Sequence, residues 1–141
     1  MASGVSVNES CLEIFQELKL RKKYKYLVFK LSDDNKEIIL EKAVEQSDYQ
    51  EFIDQLPKDS PRYAVYDFEY QKTGEGEGER HKLVFYSWTP DVSKIKQKML
   101  YASSKDALRK QLVGISTEIQ GTDLDEVQFE AVLEKVSKSS S

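Results

Sequence analysis

Hydrophobic residues near the start of the chain recur at helical spacing: Cys11, Leu12, Phe15 and Leu18. Ser6 and Glu9 have the S-x-x-E spacing of a capping box, in which a serine hydroxyl and a carboxylate satisfy free backbone amides at a helix start. We therefore predict a first amphipathic helix over residues 7–18.

Short runs rich in β-branched and aromatic residues predict strands. Residues 25–31 and 37–41 flank the turn signal at 33–35, which predicts a β-hairpin. Residues 63–70 and 82–88 predict two further strands.

A second helix is predicted after Ser47, which we take as its N-cap. Its apolar residues lie at positions i, i+3, i+4 and i+7: Tyr49, Phe52, Ile53 and Leu56. Pro57 should end it, because proline has no backbone N–H to continue the hydrogen-bond pattern.

A long helix is predicted from the N-cap Thr89 to about Val113, with Pro90 at its first position. Its apolar stripe is Val92, Ile95, Met99 and Ala102. Leu108 is out of phase with this stripe, and a capping signal at 103–106 lies where the phase of the apolar residues changes. We therefore predict a kink or restart there.

The last third of the chain predicts a strand at 115–119 and a final helix that opens at Thr122 and ends near Val136. We expect flexible tails at residues 1–5 and 137–141 around a single domain at 6–136. The fold class is α/β, with a central mixed sheet of four to five strands and helices on both faces.

Composition and charge exclude several classes of function. The 141 residues are 39% hydrophobic and 33% charged, with a net charge of -4, which suits one globular domain and disfavours a polyanion-binding protein. No run has the roughly 18–20 apolar residues of a membrane-spanning helix, and no signal-peptide pattern opens the sequence. A single cysteine excludes an internal disulfide, so we expect a protein of the reducing cytoplasm.

Few residues of the sequence are candidates for a catalytic, metal-binding or phosphate-binding site. His81, the only histidine, has no evident triad or metal partners, and Cys11 lies on a helix stripe, which favours a core role. The Gly-Glu segment at 73–79 lacks the Lys-Ser/Thr of a phosphate-binding loop, so we interpret it as a hairpin turn. We expect no enzyme, no cofactor and no metal site.

Basic residues form three groups. The first is the run 21–25, and the second lies on the long helix near Met99. The third joins Arg80 and Lys82 to the lysines near the C-terminus, with no sign from sequence that they meet in space. These groups predict a binding module for an acidic partner, whether a protein, a phosphoinositide or a nucleic acid. The aromatic residues fall on core positions, which places nucleic acid last.

Several segments resemble the actin-depolymerising factor/cofilin family. They are Trp88–Asp91, Lys96–Arg109, Tyr63–Tyr70, Ser3–Val5 and Gln120–Asp123. The resemblance covers essentially the whole chain and implies a single actin-depolymerising-factor homology domain. It implies a non-enzymatic protein that binds actin monomers and filament sides, prefers ADP-actin, changes filament twist, and severs and depolymerises filaments.

Residue by residue, the resemblance implies two actin-binding surfaces. The surface for monomers and filaments comprises Ser3, Gly4, Val5, Lys96, Lys98, Met99, Lys105, Asp106, Arg109 and Lys110. The filament-specific surface comprises Arg80, Lys82, Glu134, Lys135 and Lys138.

The resemblance also implies regulation. Phosphoinositides would inhibit by binding Lys96, Lys98, Lys105, Arg109 and Lys110. Ser3 is a candidate phosphorylation site, because a phosphate would oppose an acidic partner. We expect a monomer at the cytoplasmic actin cytoskeleton and cell cortex, with a nuclear pool allowed and with actin-turnover proteins as further partners. The alternative is a phosphoinositide-binding membrane-surface adaptor without severing activity.

Overall fold

A six-stranded mixed sheet organises the chain, and the computed structural model describes residues 4–72 and 78–139. The elements in these ranges are β1 (Ser6–Val7), α1 (Glu9–Arg21), β2 (Tyr26–Leu31), β3 (Glu37–Val44), α2 (Tyr49–Asp54), β4 (Arg62–Lys72), β5 (Gly78–Trp88), α3 (Ile95–Arg109), β6 (Ile115–Gly121), a 3-10 turn (Leu124–Val127) and α4 (Phe129–Ser139).

The strand order is β1-β3-β2-β4-β5-β6. The four central strands are antiparallel, whereas the two edge strands, β1 and β6, pair in parallel with β3 and β5. The α/β class is confirmed, with six strands instead of the four to five predicted. The extra strand is β1, because two residues have too little pattern to be seen in a sequence.

Hydrophobic side chains fill both faces of the sheet. On the first face, α1 and α3 cover a cluster that includes Phe15, Phe29 and Phe85. On the second face, α2 and α4 cover a cluster that includes Phe52 and Phe68. Successive strand residues point to opposite faces, so neighbouring positions serve opposite layers.

The start of α1 differs from the prediction. Asn8, and not Ser6, is the N-cap, and its Oδ1 accepts the Ser10 N–H at 2.9 Å. Ser6 instead belongs to β1, opposite Glu37. The predicted capping box was wrong because the strand pairing takes up the residue that would have capped the helix. The cap of α2 is likewise one residue later, at Asp48.

Helix α3 is continuous, and the predicted restart at 103–106 was wrong. Its buried residues are Tyr101, Ser104 and Leu108, at i, i+3 and i+7, so one straight stripe faces the sheet. The helix also begins at Ile95 rather than after Thr89. Ile95 and Met99 of the predicted apolar stripe therefore lie on the outer side of α3.

The end of the chain is helical for longer than predicted. A 3-10 turn capped by Asp123 precedes α4, and α4 extends to Ser139, beyond the predicted end at Val136. In the ranges that the structure describes, no helix is long and apolar enough to span a membrane. Those same ranges contain no group of three or more His, Cys, Asp or Glu residues placed to hold a metal ion.

Candidate protein-binding surfaces

The outer side of α3 presents apolar residues to solvent. Ile95 and Met99 are one turn apart and are 72% and 66% exposed, and Val92 in the preceding loop is also exposed. Large apolar side chains grouped on a surface are typical of a protein interface. Val92, Ile95 and Met99 of the predicted apolar stripe thus form a small apolar surface.

Two hydrogen bonds of Tyr101 fix α3 against the first face of the sheet. Its hydroxyl accepts the Leu31 N–H at 2.9 Å, and its carbonyl accepts the hydroxyl of Tyr63. Because Tyr101 is almost fully buried, rotation of α3 about its axis would break both bonds. The orientation of Ile95 and Met99 therefore follows from the packing of Tyr101.

Two of the predicted basic residues are ion-paired within the chain. Lys105 Nζ lies 2.6 Å from Glu118 Oε2, and Arg109 Nε lies 3.3 Å from Glu118 Oε1. Glu118 is on β6, beneath the C-terminal half of α3. Glu118 is not among the residues predicted from sequence, because no local pattern connects it to residues 9 and 13 positions earlier.

The remaining α3 residues of the predicted monomer surface lie near this cluster. Lys98 donates to the backbone oxygen of Asp91 at 3.0 Å, which ties the helix to the preceding loop. Lys96, Asp106 and Lys110 are exposed. The α3 surface is thus an apolar centre at Ile95 and Met99 with a charged rim.

The N-terminal part of the predicted surface is only partly described. Ser3 lies outside the described residues. Gly4 has a positive φ of 84° with open space around it, whereas Val5 packs into the cluster under α1 and is only 8% exposed. The Val5 side chain therefore belongs to the core and does not contribute to a surface.

The members of the third basic group lie on the second face of the sheet. Arg80 and Lys82 pair with Tyr70 and Phe68 on β4 and share the alternation of Val84, which points to that face. Helix α4 packs on the same face, because Phe129 stacks on Phe68 at 5.1 Å. The α4 members of the predicted filament surface are all exposed: Glu134, Lys135 and Lys138.

Cys11 and His81, the two residues considered for catalysis, both have structural surroundings that the fold defines. Burial, assisted by the Glu37 charge, raises the pKa of the Cys11 thiol to about 11, and the thiol faces the Ile38 carbonyl oxygen. His81 lies between two carboxylates: its Nδ1 is 3.4 Å from Asp67 Oδ1, and its Nε2 is 3.5 Å from Glu69 Oε2. The turn predicted at 73–79 has its residues 73–77 outside the described ranges.

Comparisons with known proteins agree with this architecture. Residues 4–137 match the family described as cofilin/tropomyosin-type actin-binding protein. The chain is 56% identical to a cofilin of Mycosarcoma maydis over 139 residues, or 99% of each chain. It is 51% identical to a cofilin of Ogataea parapolymorpha over 137 residues, covering 97% of this chain and 95% of that one.

A solved structure shares the fold closely. The crystal structure of a cofilin from Streptomyces griseoflavus superposes with a TM-score of 0.89 at 53% identity, covering 96% of this chain and 98% of that chain.

Proposed function

Because the chain belongs to the cofilin/tropomyosin-type actin-binding protein family, we propose that it binds actin monomers and the sides of actin filaments, severs filaments and promotes their depolymerisation. The observation that supports this most directly is the exposed apolar pair Ile95 and Met99, held outward on α3 within a rim of lysines. Such a surface suits a protein partner and has no feature of a catalytic site.

The α3 surface would contact both monomers and filaments. Its apolar centre would supply most of the binding energy, since buried apolar anchors dominate interface energetics. Lys96 and Lys110 on the rim would attract an acidic partner and set its orientation. Gly4 and the adjoining Ser3 would extend this surface at the N-terminus.

The second face would add a filament-specific contact through Arg80, Lys82 and the exposed charges of α4. It lies across the sheet from α3, so one molecule could engage two neighbouring actin subunits at once. Binding a twisted filament state more tightly than the ordinary one would shift the population toward that state. Mismatch between decorated and bare filament would then favour severing, and no bond-breaking step on this chain is needed.

A preference for ADP-actin and inhibition by phosphoinositides belong to the same proposal. The phosphoinositide residues are those of the α3 rim: Lys96, Lys98, Lys105, Arg109 and Lys110. Since Glu118 already neutralises part of the Lys105 and Arg109 charge, Lys96 and Lys110 would make the first contact with a phosphate. Phosphorylation of Ser3 would weaken actin binding by adding about -1.5 to -2 charges.

We further propose that the protein works as a monomer in the cytoplasm, at the actin cytoskeleton and the cell cortex, alongside other actin-turnover proteins. A nuclear pool is consistent with its size. The competing function, a phosphoinositide-dependent membrane adaptor, rests on the same lysines. Liposome flotation in the absence of actin would support the adaptor only if the chain also failed to bind actin.

Cosedimentation with actin filaments tests the proposal. We expect the chain to pellet with filaments and to increase the soluble actin fraction. Met99→Ala should weaken binding by about tenfold, the scale of one interface anchor. Leu20→Ala is a matched control, because Leu20 is equally exposed but lies on α1.

A second pair of variants tests the two-surface assignment. Arg80→Ala with Lys82→Ala should reduce filament binding more than monomer binding, and Lys36→Ala, an exposed lysine in the β2–β3 turn, should change neither. Equal losses for monomers and filaments would refute the separate filament surface. No binding of the unaltered chain to actin in any form would refute the proposed function.

A further inference from the structure

The outer end of the β4–β5 hairpin extends beyond the neighbouring strands of the sheet. Strand β2 pairs with β4 over Tyr63–Tyr66, and β6 pairs with β5 over Leu83–Trp88. Within the part of the chain that the structure describes, residues 68–72 and 78–82 therefore pair only with each other. We call this two-stranded segment the ribbon. Two-stranded ribbons twist more strongly than the strands of a wide sheet, and they are marginally stable without further contacts.

The ribbon carries Arg80 and Lys82, the β5 part of the proposed filament surface, on the second face of the sheet. On that face its base is held by apolar packing, because Phe68 is fully buried and stacks on Phe129 of α4 at 5.1 Å. The alternate positions of the ribbon, which face the other way, are all polar in sequence. Contacts between polar groups must therefore hold the ribbon on that side.

Four polar side chains meet at the base of the ribbon: Lys25, just before β2, Asp67 and Glu69 on β4, and His81 on β5. His81 Nδ1 lies 3.4 Å from Asp67 Oδ1, and its Nε2 lies 3.5 Å from Glu69 Oε2. The other oxygen of Glu69 accepts a hydrogen bond from Lys25 Nζ at 2.7 Å. The Asp67 N–H donates to the Lys25 carbonyl at 2.9 Å. We call these four residues the clasp, because they link β5 through β4 to the chain that enters β2.

The charges of the clasp depend on one another. The Asp67 side chain is only 9% exposed, and its Oδ1 has no hydrogen-bond partner among the described residues. A buried carboxylate oxygen of this kind needs a neighbouring cation, and His81 Nδ1 is close enough to provide one when the imidazole is protonated. The hydrogen bond from Lys25 holds the pKa of Glu69 below its usual value. His81 thus touches the carboxylates directly opposite and diagonally opposite to it on β4, which restrains the twist between the two strands.

We propose that His81 is a positioning residue for filament binding, which fixes the ribbon through Asp67 and Glu69. Successive residues of a strand point to opposite faces, so a ribbon held at His81 also sets the direction of Arg80 and Lys82 on the other face. Cations that are already oriented need less ordering when they meet a partner, and this raises affinity. The proposal rests on the proposed filament contact of the second face. The α3 surface lies across the sheet, so monomer binding should not depend on the clasp.

Substitution of His81 in the full chain tests this role. His81→Ala should weaken cosedimentation with actin filaments about threefold, the scale of one exposed ion pair, and should leave binding of actin monomers unchanged. His81→Arg should retain filament binding, because a guanidinium can pair with both carboxylates of the clasp. Gln71→Ala is the matched control and should have no effect, because Gln71 is exposed on the same face of the ribbon but lies outside the clasp.

A double-mutant cycle separates positioning from other roles. If His81 acts through Arg80 and Lys82, His81→Ala should have no further effect on filament binding once both of these are alanine. The loss of a direct contact between His81 and actin, or a general loss of stability, would persist in that background. Glu69→Gln opens the clasp at a side chain that is 41% exposed, so it leaves no new charge buried. It should give the same filament-specific loss even if His81→Ala folds poorly.

Backbone relaxation of the isotopically labelled chain, measured without actin, tests the clasp directly. We expect lower order parameters for the amides of residues 80–82 in His81→Ala than in the unaltered chain, and unchanged values in Gln71→Ala.

Four results would overturn the proposal: unchanged order of these amides in His81→Ala, an equal effect of Gln71→Ala, equal losses for monomers and filaments, or a loss that persists without Arg80 and Lys82. Filament binding that ignores the clasp would refute the role of His81 alone. No filament binding by the unaltered chain would refute the proposed function, and the role of His81 with it.

Discussion

Glu118→Gln is the sharpest test of how the α3 surface works. The carboxylate of Glu118 receives Lys105 on one oxygen and Arg109 on the other, and all three side chains are at least two-thirds buried. Replacement by glutamine retains the shape and one acceptor oxygen but removes the charge. Lys105 and Arg109 would then be free to sample other rotamers.

Two opposing effects on actin binding follow. Loss of the shared carboxylate means that two long side chains must be ordered on binding, at about 0.5–1.5 kcal/mol each. Against this, the surface gains one positive charge toward an acidic partner, a contribution of about 0.2–1 kcal/mol at an exposed site. The ordering effect is larger, so we expect a net loss of about 1 kcal/mol, or about fivefold in Kd.

The same change should have a modest effect on folding. A partly buried pair of this kind contributes about 1 kcal/mol, which corresponds to a Tm lowered by about 3 °C in a domain of this size. Thermal unfolding followed by circular dichroism would measure this change in Tm. A much larger loss would show that Glu118 acts mainly as a structural residue.

Fluorescence titration of labelled monomeric actin would measure the binding effect. We expect faster dissociation with unchanged or faster association, and a larger relative loss at high salt, where the added charge is screened. Glu130→Gln is the control, because it removes an exposed charge on α4, across the sheet from α3. Binding by Glu118→Gln as tight as that of the unaltered chain at both salt concentrations would refute the reasoning.

Three further predictions concern the fold itself. A Cβ on Gly121 would lie 2.7 Å from Val127 Cγ1, so Gly121→Ala should destabilise the chain by about 2 kcal/mol, measured by denaturant unfolding; an unchanged midpoint would contradict this contact. The Cys11 thiol, with its pKa raised to about 11, should resist alkylation at pH 8, where only roughly 0.1% is thiolate, and should react on unfolding; rapid labelling of the native chain would contradict its burial. Burial raises the pKa of Glu41, but hydrogen bonding and the charge of Arg62 outweigh it and leave the pKa below its usual value. A lowered pKa stabilises the folded state above the unfolded-state pKa, and this stability is lost as pH falls through the folded value. Glu41→Gln should therefore cost about 0.5 kcal/mol at neutral pH and nothing in strong acid, and a pH-independent difference would contradict the ion pair.

Local patterns predicted most elements of the fold. The hairpin of β2 and β3, the long strands β4 and β5, and strand β6 follow from runs of β-branched and aromatic residues, which favour a pleated, half-buried surface. The helix stripe of Phe15 and Leu18 similarly predicts α1. These signals are local, because each depends on residues within a few positions of one another.

The candidate site was predicted less completely. The basic residues of α3 and the second face were found from charge clustering and family resemblance, and the structure brings Arg80, Lys82 and α4 to one face. The burial of the Val5 and Tyr101 side chains was not predicted, because burial depends on neighbours far away in sequence. A helical stripe shows which residues share a side, but the sheet decides which side faces inward.

The sequence by itself determined the α/β class, the order of nearly all elements and the family to which the chain belongs, since periodicity and signature segments are properties of neighbouring residues. Only the tertiary structure decided that Tyr101, and not Met99, faces the core, because Leu31 and Tyr63 supply the hydrogen bonds that hold it there. It also decided that Glu118 holds two of the predicted binding cations. This pairing depends on side chains brought together by the sheet, and sequence spacing does not encode that proximity.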